Sequence, residues 1–285
     1  MQKYPPLACV HLLGNNSMMT RRQFIKRGII TIVGFVLLDT FLFEKSLIQW
    51  KKIDLTGKNN DPIKIIQLTD LHFNGIDTKY KRVAKRINSI NPDLVVFTGD
   101  SIDSDDYIND FNQFLGLINF DVKKYSITGN WEYWGRVDIN RLKKIYSDNN
   151  CELLINENRQ IDLRSRKISI IGIDDYIGGQ ANFKKASLGL LPSDKTIVLS
   201  HCPGYRDIIK QEKGDSKIDL VLSGHTHGGQ VKFLGFVPFT PQGSGRYLNG
   251  LYDDYEPKLY VSKGVGTSIL PIRFGARAEI AIFDI

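Results

Sequence analysis

Four of the five histidines in this 285-residue sequence (His72, His201, His225 and His227) follow short apolar runs. The remaining one, His11, lies near the start of the chain. His225 and His227 belong to Gly224-His225-Thr226-His227-Gly228-Gly229-Gln230, directly after Ile218-Asp219-Leu220-Val221-Leu222-Ser223. A run of Val, Leu and Ile that ends in glycine reads as a buried strand, so both imidazoles sit on the loop at its carboxyl end. Open α/β sheets carry their chemistry there. Two imidazoles one residue apart on a tightly turned backbone diverge, and reach two neighbouring metal ions more readily than they share one.

Carboxylates and an amide follow the same rule. Asp70 and His72 leave the strand-like run 63–69. In extended backbone, residues i and i+2 share a face, so carboxylate and imidazole converge, a donor pair better suited to Zn, Mn or Fe than to Mg. Gly99-Asp100 closes Leu94-Val95-Val96-Phe97-Thr98. Its glycine permits a sharp turn and close approach to an ion, and the two oxygens of Asp100 make it a natural bridge between cations. Gly129-Asn130 closes 124–128 and offers a neutral oxygen ligand, while His201 closes 196–200. Asp103, Asp105 and Asp106 read as solvating a loop. Asp174-Asp175 read equally as partners of a ligating histidine or as caps of the following loop. Cys202 reads as a small buried side chain.

Helices must lie between these strands to position them. Lys79, Lys81, Arg82, Lys85 and Arg86 form a wet face opposite Tyr80, Val83, Ala84, Ile87 and Ile90, and Asn91-Pro92 ends that helix. Further helices are expected over 110–119 and 138–149, and strands over 151–155, 167–173, 259–266 and 278–283. Residues 51–61 read as a linker or an edge hairpin, and 231–252 as a loop rich in Gly, Pro and aromatics.

Hydrophobic content of 42% and charged content of 24% are those of a globular protein. The net charge of +7 is concentrated: residues 1–52 hold eight basic and two acidic side chains, which leaves +1 for the rest. A basic groove for nucleic acid is therefore not expected. Three cysteines make no disulfide framework. Two domains follow: a leader and signal or anchor segment over 1–52, and a catalytic domain over 53–285.

Thr20-Arg21-Arg22-Gln23-Phe24-Ile25-Lys26 resembles the twin-arginine export signal, and Met18 or Met19 could be the true start. The mainly apolar stretch 28–43 lacks a small-x-small cleavage site after it, so an uncleaved apolar anchor helix is expected, with Trp50, Lys51 and Lys52 at the membrane interface. The expected location is the bacterial cytoplasmic membrane, peripheral or anchored by the N-terminal segment. The arginine pair argues for an exported catalytic domain while Lys51 and Lys52 weaken the charge asymmetry, so the face stays open.

Asp70-x-His72, Gly99-Asp100, Gly129-Asn130, His201 and Gly224-His225-x-His227, in that order, resemble the calcineurin-like metallophosphoesterases. The run 260–267, followed by Pro271-Ile272-Arg273, is similar to their membrane-associated or twin-arginine-exported bacterial branch, which includes UDP-2,3-diacylglucosamine pyrophosphatases of lipid A synthesis. The resemblance implies two mixed β-sheets packed as a sandwich and flanked by helices. It implies two divalent metal ions (Mn, Fe or Zn), one held by Asp70, His72, Asp100 and His227, the other by Asp100, Asn130, His201 and His225. The implied reaction is hydroxide attack on a phosphodiester or pyrophosphate of a phosphorylated small molecule or lipid, with no obligate protein partner.

One departure stands out. Most of the family carries His after Gly-Asn, where it assists the leaving oxygen, and this chain has Trp131. An indole has no proton to transfer at neutral pH, so either the leaving group needs little help, as in pyrophosphate cleavage or an activated diester, or another residue supplies the donor, with Glu132 and Arg273 as candidates. The alternative is a non-catalytic metal-binding envelope protein on the same fold.

Overall fold

The computed structural model describes residues 19–38, 47–57, 61–232 and 235–285. The chain divides into two compact units, Met1–Leu38 and Asp39–Ile285. The described part of the first is α1 (Arg21–Leu38). The second contains β1 (Gln49–Asp54), β2 (Lys64–Leu68), α2 (Thr78–Ile90), β3 (Leu94–Thr98), α3 (Ile108–Gly116), β4 (Lys123–Ile127), α4 (Asn130–Trp134) and α5 (Ile139–Asp148). There follow β5 (Cys151–Leu153), β6 (Glu157–Leu163), β7 (Arg166–Gly172), α6 (Phe183–Ala186), β8 (Lys195–Leu199), α7 (Tyr205–Glu212), β9 (Leu220–Ser223), β10 (Gly250–Tyr252), β11 (Lys258–Val261) and β12 (Glu279–Asp284).

Two six-stranded mixed sheets result, ordered β1-β12-β2-β3-β4-β5 and β10-β11-β9-β8-β7-β6. In the first, only the β12–β2 pairing is antiparallel. In the second, the outer pairs β10–β11 and β6–β7 are antiparallel and the rest parallel. Parallel strands buried on both faces read as continuous Val/Ile/Leu runs, and alternation within each run decides the layers. Ile65, Val96 and Phe283 meet Ile170, Ile197 and Leu220 between the sheets. Their neighbours Ile66, Val95 and Phe97 turn the other way onto Val83, Phe111 and Leu142 of the helices, as Ile171, Val198 and Val221 turn onto Phe183 and Ile209. Buried Gln67 ties the sheets below the site, donating to Thr98 Oγ1 (2.9 Å) and to the Ser223 carbonyl (3.0 Å).

Two expectations change. Residues 49–54 are neither linker nor hairpin. They form an edge strand running parallel to β12, the pairing of Gln49 with Glu279 through Asp54 with Asp284 joining residues over 220 apart in sequence, which no local pattern encodes. An apolar anchor helix is also not found: among the described residues no helix is long and apolar enough to cross a membrane. Helix α1 starts at the arginine pair and so takes Arg21, Arg22, Lys26 and Arg27 into its 18 residues. The rest of the apolar stretch, 39–43, lies outside the described residues.

Candidate functional site

Five strand ends deliver the site. Asp70 and His72 follow β2, Asp100 follows β3, Asn130 opens α4 after β4, His201 follows β8, and His225 and His227 follow β9. All seven side chains are buried. Asp70, His72, Asp100, His225 and His227 all adopt positive φ, between 43° and 72°. Left-handed backbone is costly for such residues and is held where the surroundings over-determine it, typically at functional sites. The neighbouring glycines serve close approach. A Cβ on Gly129 would strike Asp100, and one on Gly224 would strike Thr69 and Asp70.

Two donor clusters form, Asp70/His72/His227 and Asp100/His201/His225, each with its ligand atoms within 4.8 Å of one another. Asp100 Oδ2 lies 3.1 Å from Nε2 of His201 and 3.7 Å from Nε2 of His72, so one carboxylate reaches both clusters. His72 and His227 approach through their Nε2 atoms (3.2 Å), and His225 Nδ1 stands 3.2 Å from His201 Nε2. Asn130 Oδ1 is buried with no hydrogen-bond partner, an oxygen left for a ligand outside the protein.

Bonds behind the rings fix which nitrogen faces inward. His201 Nδ1 meets the Thr98 carbonyl at 2.8 Å, and His225 Nε2 meets the Gln242 carbonyl at 2.7 Å. A carbonyl only accepts, so both of these ring nitrogens donate, and in the neutral ring the opposite nitrogen is the one that carries a lone pair toward the site. His72 Nδ1 stands 2.8 Å from Asp103 Oδ1. Burial holds His225 below the ordinary histidine range, and holds His227 well below it with help from His72 and Arg273. Burial also opposes charge on His72 and His201. At His72 the Asp103 hydrogen bond and the charges of Asp100, Asp103 and Asp70 together outweigh it, and at His201 the Asp100 carboxylate with Asp70 and Asp175 does, holding that ring well above its usual range. At Asp70 burial wins and raises the carboxyl. At Asp100 the pull of burial is overcome by His201 and His72, which hold it well below the carboxylate range. Among the described residues the ion pairs of these two carboxylates are all with imidazoles. Mixed imidazole and carboxylate donors with a neutral oxygen suit divalent transition metals.

The two candidate proton donors are corrected. Glu132 turns its carboxylate into the backbone, accepting from Gly129 N (2.8 Å), Asp100 N (3.1 Å) and Ser101 N (2.6 Å). Burial and the Asp100 charge push it up to about 7. It binds the two ligand loops together and faces no substrate. Glu132→Gln would aim an NH2 group at N–H donors, and a loss of about 1–3 kcal/mol in stability is expected, read as a lower denaturation midpoint. Arg273 is fully buried and donates to the carbonyls of Lys263, Gly264, Gly266 and Ala276, with Nη2 3.3 Å from His227 Nδ1. It braces the last loop behind His227.

Asp174 and Asp175 cap the following loop. Asp174 accepts from Thr128, Tyr133 and the Gln180 amide, and Asp175 from the amides of Ile177 and Gly178. Cys202 is buried, and burial together with Asp175 holds its thiol well above the usual range. Asp103 is the functional residue that sequence reasoning passed over. Its place three residues after Asp100 was the available signal, and only the turn after β3 brings it to His72. The indole of Trp131 stands edge-on to His72 (centroids 5.8 Å apart), and its backbone N–H donates to Asp100 Oδ1 (2.9 Å).

The chain belongs to the calcineurin-like phosphoesterases, whose family model matches residues 63–229. Uncharacterized metallophosphoesterase YkuE of Bacillus subtilis is 30% identical over 285 residues, covering 94% of this chain and 98% of its own. Phosphodiesterase YaeI of Escherichia coli is 29% identical, covering 80% and 83%. A bovine transmembrane protein with a metallophosphoesterase domain is 31% identical, covering 76% of this chain and 52% of its own. The protein is a metal-dependent phosphoester hydrolase, and its family uses two divalent metals, which the two donor clusters could hold.

Proposed function

We propose that this enzyme cleaves a phosphodiester or pyrophosphate bond in a lipid-linked or nucleotide-sugar substrate of the UDP-2,3-diacylglucosamine type. We place it at the bacterial cytoplasmic membrane through its N-terminal segment, with the catalytic unit on the outer side. The observation that carries the hydrolase reading is the position of Asp100 Oδ2 between His201 and His72. Asp70, His72, Asp100 and His227 would hold one cation, and Asp100, Asn130, His201 and His225 the other. When bound, the cation pair supplies Lewis acidity and a water of lowered pKa. The protein's part is to fix each imidazole through Thr98, Gln242 and Asp103, to hold Asp100 against the Trp131 N–H, and to keep the donors dry. A diester or pyrophosphate with a good leaving group suits a site with an indole where a proton donor would stand, and a similar protein bears the name phosphodiesterase.

Manganese-loaded protein is expected to hydrolyse bis(p-nitrophenyl) phosphate, and chelation to remove that activity. Failure of hydrolysis across Mn, Fe and Zn would overturn the reading. Trp131→His adds a general acid, an effect typically worth about 10² to 10⁴. We expect about a tenfold or larger gain on an alkyl diester and little change with p-nitrophenolate, which leaves without protonation.

A further inference from the structure

The metal site opens into a cavity of about 470 Å³ whose walls are mostly apolar. Asp100, Asn130, His225 and His227 line its inner end, and Trp131, Trp134, Val231, Phe239, Ile269 and Leu270 line its sides. Four of these side chains stand open to water, while Trp131 and Val231 are half-buried. Ile269 is 84% exposed and Phe239 72%, with Leu270 and Trp134 each 55% exposed. Nearby Phe236 is 70% exposed as well.

The jaw that carries Ile269 is built rather than loose. Gln230, the last residue of the His225–His227 loop, donates through Nε2 to the carbonyls of Ser268 (3.0 Å) and Leu270 (2.8 Å), and accepts at Oε1 from Ser268 N (3.1 Å). Its own carbonyl accepts from Phe274 N (2.9 Å). Within that clamp Ile269 adopts φ 53°, a conformation rare for a β-branched residue. A strained backbone holding an isoleucine out into water beside a catalytic centre is explained if something apolar covers it.

We infer that the cleft seats the hydrocarbon chain of an amphiphilic phosphoester, its phosphoryl group at the metal site and its chain between the Phe239 and Ile269 jaws. Gln230 is then a positioning residue for specificity, coupling the metal loop to the chain-binding wall. Continuity decides the occupant, because a body filling this cavity lies against metal ligands and is joined to the group bound there. A nucleotide base fits less well. Apart from the metal-site residues, the polar side chains lining the cavity are Thr226, Gln230, Gln242 and Ser268. Of these, Thr226 is engaged by the Leu248 carbonyl and Gln230 by its clamp. The inference rests on the hydrolase reading and selects the lipid over the nucleotide-sugar within it.

The test is binding, read by tryptophan emission in the Zn-loaded full chain carrying Trp50→Phe, so that Trp131 and Trp134 report alone. Methylphosphonate, dodecylphosphonate below its micelle concentration, and UMP are compared, each in competition with inorganic phosphate. Dodecylphosphonate is expected to bind about 100-fold more tightly than methylphosphonate, as burial of about four methylenes gives, with a blue-shifted emission. Ile269→Asp, at an exposed position that tolerates polarity, should reduce the ratio below about tenfold, and Gln230→Ala should reduce it as well. Equal affinities for the two phosphonates, or UMP as the tightest ligand, overturns the inference even if the diester is hydrolysed. Chain-length dependence without hydrolysis supports the cleft and sinks the hydrolase reading alone.

Discussion

Asp100→Asn is expected to lower turnover of a phosphodiester by at least about 10³-fold, equivalent to about 4 kcal/mol of transition-state stabilisation. The substitution keeps the shape of the side chain and an oxygen for the Trp131 N–H, but removes the charge that serves both clusters. Its Oδ2 is the atom 3.1 Å from His201 and 3.7 Å from His72. A neutral amide bridges two cations poorly, so metal content should fall from two ions per chain toward one. Elemental analysis beside the kinetics separates this from misfolding. A variant that retains both ions and full activity would remove Asp100 from the centre of the mechanism.

Asp103→Asn is the second large effect. Asp103 Oδ1 accepts from His72 Nδ1 at 2.8 Å, which leaves Nε2 as the nitrogen turned toward His227 and Asp100. A carboxylate behind a ligating imidazole fixes the ring and raises its basicity, and its loss typically costs about 10 to 100-fold in metal affinity. The expected result is weaker binding of one ion in a chelator titration, with activity restored by excess metal. Asp103→Ala should be worse than Asp103→Asn, because Asn still offers an oxygen to the ring. Equal metal affinity in both variants would make the contact incidental.

Much of the fold was legible because buried parallel strands announce themselves. The runs at 63–69, 94–98, 196–200 and 218–223 fall on β2, β3, β8 and β9, and the amphipathic helix ending at Asn91 is α2, stopped by that residue in a left-handed cap. Short elements with weak periodicity were not legible. Helix α4 has five residues beginning at Asn130, and β1 owes its existence to a partner at the far end of the chain.

The same division runs through the site. Residue type and the exit of a strand were enough to single out Asp70, His72, Asp100, Asn130, His201, His225 and His227, since ligand chemistry is written in the side chain and strand ends are written in the apolar pattern. The roles of Glu132, Arg273 and Asp103 were not, because a carboxylate or guanidinium reads alike in sequence whether it meets substrate, backbone or another side chain. Direction settles that. Glu132 turns inward onto three amides, Arg273 onto loop carbonyls, and Asp103 onto His72. The clamp of Gln230 on residues 268–270 belongs to the same class, joining segments 38 residues apart. By itself the sequence singled out the candidate ligands and the order in which strands deliver them. Tertiary structure alone decided which polar groups support those ligands and which apolar ones stand open to water, because both depend on packing between segments distant in the chain.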